Sequence, residues 1–107
     1  MKGERLGEFE ELVLLSVRQL GDAAHGSAIQ EVLAEHGGRE VTLGAIYAAL
    51  DRAQRKDLAD SWLGEPTAVR GGRAKRHYAV TAKGVDALEE SRRIREALWA
   101  RAGEARP

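Results

Sequence analysis

Apolar residues recur near the start of the chain at steps of three and four: Leu6, Phe9, Val13 and Val17, with Glu8, Glu11 and Arg18 outside the stripe. That period predicts an amphipathic helix over residues 6–20, stopped by the turn residues Gly21 and Asp22. Ile29, Val32 and Leu33 give a second stripe, and Ser27 with Gln30 has capping-box spacing, so a second helix is expected over residues 27–36. Gly37 and Gly38 should end it, because glycine takes the left-handed backbone at little cost. Thr42 is a good N-cap for a third helix reaching Lys56. Leu43, Ile46 and Leu50 line one face of it. Ala45, Ala48, Ala49 and Arg52 lie towards the other, which is small and flat apart from its basic end.

The period then changes. Residues 58–63 and 75–80 read as short strands, joined by residues 64–74 with Pro66, Gly71 and Gly72, which is a hairpin pattern. Pro66 cannot donate to a ladder, so pairing should fray towards the tip. Thr81 is placed to cap a last helix extending to about Ala102. Leu88, Ser91, Ile94 and Leu98 mark a narrow stripe on it, with Trp99 alongside and Glu89, Glu90, Arg92, Arg93, Arg95 and Glu96 around it. So thin a seam suits a two-helix contact better than a thick core. The expected fold is mainly α with a small β-hairpin: a winged helix-turn-helix with a C-terminal dimerisation helix. Residues 1–80 would form the DNA-binding unit and residues 81–107 the dimer helix, packed as one structural unit.

Composition narrows the function more than the fold. A chain of 107 residues is one domain, and one of that size buries roughly 65% of its unfolded surface without needing disulfide or metal. No cysteine is present, so thiolate chemistry and cysteine metal sites are excluded. His25, His36 and His77 are too scattered to suggest a zinc site. No nucleophile–base pair or Gly-rich phosphate loop appears, so no enzyme and no cofactor are expected. No apolar run approaches a membrane span and the start does not resemble a signal peptide; a cytoplasmic location follows as the expectation. The formal net charge is +0, yet the segment from 70 to 85 carries Arg70, Arg73, Lys75, Arg76 and Lys83 with no carboxylate. Such a segment on a neutral protein can hold a local nucleic-acid site; the plain alternative is a solvated basic loop.

Several segments in order resemble the PadR-type transcriptional regulators of the short form, with a single C-terminal helix. They are Leu12-Val13-Leu14-Leu15, Gly26-Ser27-Ala28-Ile29, the stretch from Thr42 to Arg52, and the stretch from Gly71 to Gly84. Together they span roughly residues 6–88. The sequence departs from the family pattern at His25 and Ser27, where tyrosine is frequent, at Ala53, usually leucine, and at Asp57, usually glycine. Aspartate tolerates the left-handed backbone, so Asp57 can still end the helix; Ala53 would thin the contact between the third helix and the hairpin.

The resemblance implies a homodimeric repressor of an inverted-repeat operator in double-stranded DNA. The N-terminus of the third helix, with Thr42, Gly44, Ala45 and Ala48, would enter the major groove, where the alanines offer only methyl contacts. Tyr47 resembles the family tyrosine that touches the DNA backbone; otherwise it is a half-buried core residue. Arg70, Gly72, Arg73 and Lys75 would meet phosphates from the wing. Leu88, Ile94, Leu98 and Trp99 form the expected dimer seam. Some relatives stack flat molecules on a tryptophan of this helix, so Trp99 is also the expected site of any small aromatic effector; its plainer role is dimer packing. A winged helix serving as a protein-interaction module without DNA binding is the competing reading.

Overall fold

Thr42 shows how local chemistry sets the elements. Its Oγ1 accepts the Ala45 N–H at 3.1 Å, which satisfies one of the orphan donors of a helix start. In a computed structural model, which describes residues 6–65 and 74–104, the order is α1 (Glu8–Leu20), a 3-10 turn (Gly21–Ala23), α2 (Gly26–Glu35), α3 (Leu43–Arg55), β1 (Ala59–Leu63), β2 (Arg76–Val80) and α4 (Ala82–Glu104). The strands pair antiparallel, with Ala59 opposite Val80 and Leu63 opposite Arg76. This is the winged helix-turn-helix order with a long final helix, as expected. The hairpin tip, with Pro66, lies outside the described residues.

Two apolar clusters flank α1. Val13 and Val17 meet Ala24, Ile29, Leu33, Ile46, Ala49, Leu50 and Tyr78 on one side. Leu14 meets Ala53, Leu58, Ala59 and Leu88 on the other. Val80 packs against both clusters. On β2, Tyr78 and Val80 therefore face inward and His77 outward.

Asp57 ends α3 in the left-handed region, at φ 65°, and the Leu58 N–H returns to the Ala53 carbonyl at 2.8 Å. Thr81 then ties that turn to α4. Its hydroxyl donates to the Asp57 carbonyl at 2.7 Å and accepts the Gly84 N–H at 3.0 Å.

Five sequence expectations need correction. The capping box at Ser27 does not form: α2 begins at Gly26 with His25 as its N-cap. The Tyr78 N–H bonds the Ala24 carbonyl at 2.9 Å, which holds the preceding segment extended beside β2, and Gln30 donates instead to the Val41 carbonyl at 2.8 Å. Ala49 belongs to the buried stripe of α3 with Ile46, Leu50 and Ala53, because α3 packs on α1 and α2 through a wider arc than its large residues mark. Ala53 is fully covered by Leu14, Leu58, Ala59 and Leu88 instead of leaving a thin contact. Glu11 is buried because α4 covers it. Leu88, expected in the dimer seam, is 4% exposed and packs in the chain's own core. The first turns of α4 dock on α1 and the hairpin, so the start of the thin stripe is used within the chain.

Candidate nucleic-acid interface

The buried stripe of α3 leaves the rest of its N-terminal half open. Thr42, Gly44, Ala45, Tyr47 and Ala48 are all exposed, on a helix end whose N–H groups carry partial positive charge. The other end is tied down. Lys56 pairs with buried Glu10 of α1 at 3.0 Å, so α3 is held by its C-terminal half and its core stripe.

Tyr47 is 42% exposed, whereas Tyr78 fills the core at 5%. Burial pushes the Tyr78 hydroxyl above its usual range, and its ring is spent on packing. The Tyr47 ring lies over the start of α2, and Gly26 makes that possible. A Cβ on Gly26 would overlap the Tyr47 hydroxyl and come within 2.9 Å of its Cε1. The phenol thus sits at the junction of α2 and α3, a half-exposed ring whose hydroxyl end lies against Gly26.

Lys75 is exposed just before β2, and its carbonyl accepts the Gly64 N–H at 2.8 Å. Arg76 donates to Ser61 Oγ at 3.0 Å across the hairpin. Arg70, Gly72 and Arg73 lie outside the described residues. The structure therefore brings the α3 candidates onto one face and sets Lys75 at the loop end of the paired strands.

The outer hairpin face holds a cluster that pattern reading missed. Trp62 stacks on His77 with ring centroids 5.9 Å apart and planes at 18°. His25 meets His77 edge-on at 6.0 Å and 89°. Burial, then Lys75 and His77, hold the His25 imidazole below its ordinary range, against the opposing pull of Glu31. Alternation on β2 placed His77 outward, but no local signal joined it to His25.

On α4, Ile94, Leu98 and Trp99 are 46%, 62% and 76% exposed. Among the described residues no helix is long and apolar enough to cross a membrane.

The profile of the transcriptional regulator PadR-like family matches residues 13–90. No curated protein matches the chain. Among solved structures, the chain is similar to a PadR family transcription regulator from Clostridium difficile R20291, at 24% identity and TM-score 0.74, covering 92% of this chain and 97% of that one. It is similar to a PadR-like transcriptional regulator from Bacillus cereus at 26% identity and TM-score 0.71, covering 90% and 88%. Bacillus subtilis PadR, solved in complex with operator DNA, is 18% identical with TM-score 0.64, covering 77% of this chain and 45% of that one.

Proposed function

The chain belongs to the PadR-like family of transcriptional regulators, which are not enzymes, and on that premise we propose that it binds double-stranded DNA as a homodimer and represses transcription. The observation that carries this reading is the exposed N-terminal half of α3, with Thr42, Gly44, Ala45, Tyr47 and Ala48 outside the core. A helix so presented fits a major groove. Ala45 and Ala48 would meet thymine methyl groups, and the Tyr47 hydroxyl and Lys75 would meet phosphates. Arg70, Gly72 and Arg73 complete the wing contacts. Residues 1–80 act as the DNA-binding unit and residues 81–107 as the dimer helix, the latter through Ile94, Leu98 and Trp99. Its place is the cytoplasm, with the DNA.

Binding should be steeply salt-dependent. A dimer making roughly six to ten phosphate contacts loses on the order of a thousandfold or more in affinity between about 50 and 200 mM salt. Replacing Arg73 and Lys75 together with alanine should weaken binding to every sequence and flatten that slope. Tyr47→Phe should cost about tenfold, the worth of one hydrogen bond to a charged group. Fluorescence anisotropy with duplexes selected from random sequence measures all three. A protein that shifts no duplex at any salt is instead an interaction module.

A small aromatic effector would bind between subunits near Trp99 and release the DNA by favouring a different angle between the α4 helices. A coupling of about 1–3 kcal/mol gives a 5- to 150-fold loss of operator affinity. Trp99 fluorescence, followed in a Trp62→Phe background, should quench as the effector binds, and Trp99→Ala should abolish that response while operator binding persists.

A further inference from the structure

His25 and His77 come together at the border of the surface assigned to DNA. His25 caps α2, and Ser27 Oγ lies 3.2 Å from its Nδ1. His77 is clamped between Trp62 and His25, and a Cβ on Gly64 would stand 2.7 Å from the His77 Nε2. Tyr47 reaches the same place from α3, because its hydroxyl rests on Gly26, the residue after His25. Lys75 reaches it from the loop end of the hairpin, close enough to act on the charge of His25. The cluster therefore lies between two of the candidate phosphate contacts.

The charges around His25 are unbalanced. Lys75 and His77 act on it from the hairpin and Glu31 from α2, and the Tyr47 phenol of α3 lies over the neighbouring Gly26. Asp60 is the carboxylate on the same outer hairpin face as His77 and Trp62, set by the strand register. In the free protein burial, then Lys75 and His77, outweigh Glu31 and hold the His25 imidazole below its ordinary range. A line of phosphates reverses that balance, since an anion close by favours the imidazolium.

We propose that His25, held against His77, is a proton-linked part of the nucleic-acid surface, taking up a proton as backbone phosphates close over it, so that DNA binding tightens as the pH falls. The inference rests on the DNA-binding reading above. Between the values His25 takes in the free and bound protein, the complex holds a proton that the free protein lacks. The affinity then rises as pH falls, by up to about tenfold per pH unit where a full proton is taken up. The slope fades once the pH drops below the free protein's depressed value.

The test is the affinity for a mixed-sequence duplex long enough for two half-sites, at constant ionic strength, from about pH 8 to about pH 5.5. The wild-type protein should bind more tightly with each step down. His25→Gln should flatten the profile. His36→Gln, at the far end of α2 beside Glu35, should leave the profile unchanged. An NMR titration of the imidazoles should show the His25 midpoint rising when duplex is added. Salt-dependent binding with a flat wild-type pH profile overturns this inference alone, as does a slope that survives undiminished in His25→Gln. No binding at any pH or salt overturns the DNA-binding reading with it.

Discussion

A Cβ on Gly84 would overlap the Leu58 carbonyl oxygen and stand 2.5 Å from Val80 Cγ1. Neither can move freely, because Leu58 belongs to the turn that Thr81 fastens to α4. Gly84→Ala should therefore destabilise the fold by about 1–3 kcal/mol, the usual cost of overpacking. A lower urea midpoint with an unchanged slope would show it; an unchanged midpoint would mean that α4 docks differently. Gly26→Ala makes the opposite case, since the atom in its way is the end of the half-exposed Tyr47 side chain. The ring can swing out, so stability should change little while duplex affinity falls about as far as in Tyr47→Phe. His25 adds a pH term to stability. Its folded value lies below the ordinary 6.5, so just below that pH the unfolded chain binds more protons than the folded one. Stability is thus full above about 6.5 and is lost as the pH falls towards the folded value. Thermal melts of the free protein should follow that course, and His25→Gln should remove this part of it.

Among the elements, α1 is the hub, and its carboxylates do much of the joining. Glu10 accepts the Gly7 N–H at 3.4 Å and the Lys56 ammonium at 3.0 Å, linking its own helix start to the end of α3. Glu11 accepts from Ser91 Oγ at 3.1 Å and from Arg95 at 3.0 Å, which pins the middle of α4 to α1. Glu11→Ala should cost about 1 kcal/mol, less than a wholly buried charged pair because Arg95 is largely exposed. Its sharper signature should be faster amide exchange in α4 beyond Ser91, with α3 unaffected; uniform acceleration would mean that Glu11 supports the whole core. The apolar stripe of α1 was legible from its spacing. The acidic contacts were not, because a glutamate off the stripe reads as solvated until another helix is known to cover it.

The whole molecule is longer than its chain length requires. Its radius of gyration is 16.0 Å and its longest extent 61 Å, against about 13 Å for a compact chain of this size. The excess comes from α4, whose residues 92–103 are all exposed. Ile94, Leu98 and Trp99 fall in that projecting part, and the dimer proposed above would cover them. Leu98→Glu should give a folded monomer by light scattering. It should also bind duplex far more weakly, because two half-sites about 34–36 Å apart no longer engage together. A variant that stays dimeric would count against α4 as the dimer helix. Deletion after Gly84 is a poorer test, since it removes Leu88 and Ser91 from contacts within the chain.

The sequence by itself determined the element order, the cap at Thr42, the left-handed stop at Asp57 and the start of α4 at Thr81. Each of these depends on groups within a few residues of one another, where spacing and backbone preference suffice. The exposed placement of the third helix's N-terminal half was legible for the same reason. Tertiary structure alone decided that Leu88 belongs to the core, that Ala49 and Ala53 are buried, and that Gln30 turns away from its own helix to Val41. It also brought His25 onto His77, beside the strand-like bond from Tyr78 to Ala24. Those outcomes follow from which surfaces meet, and an apolar, acidic or imidazole side chain has the same local pattern whether a neighbouring helix covers it or water does.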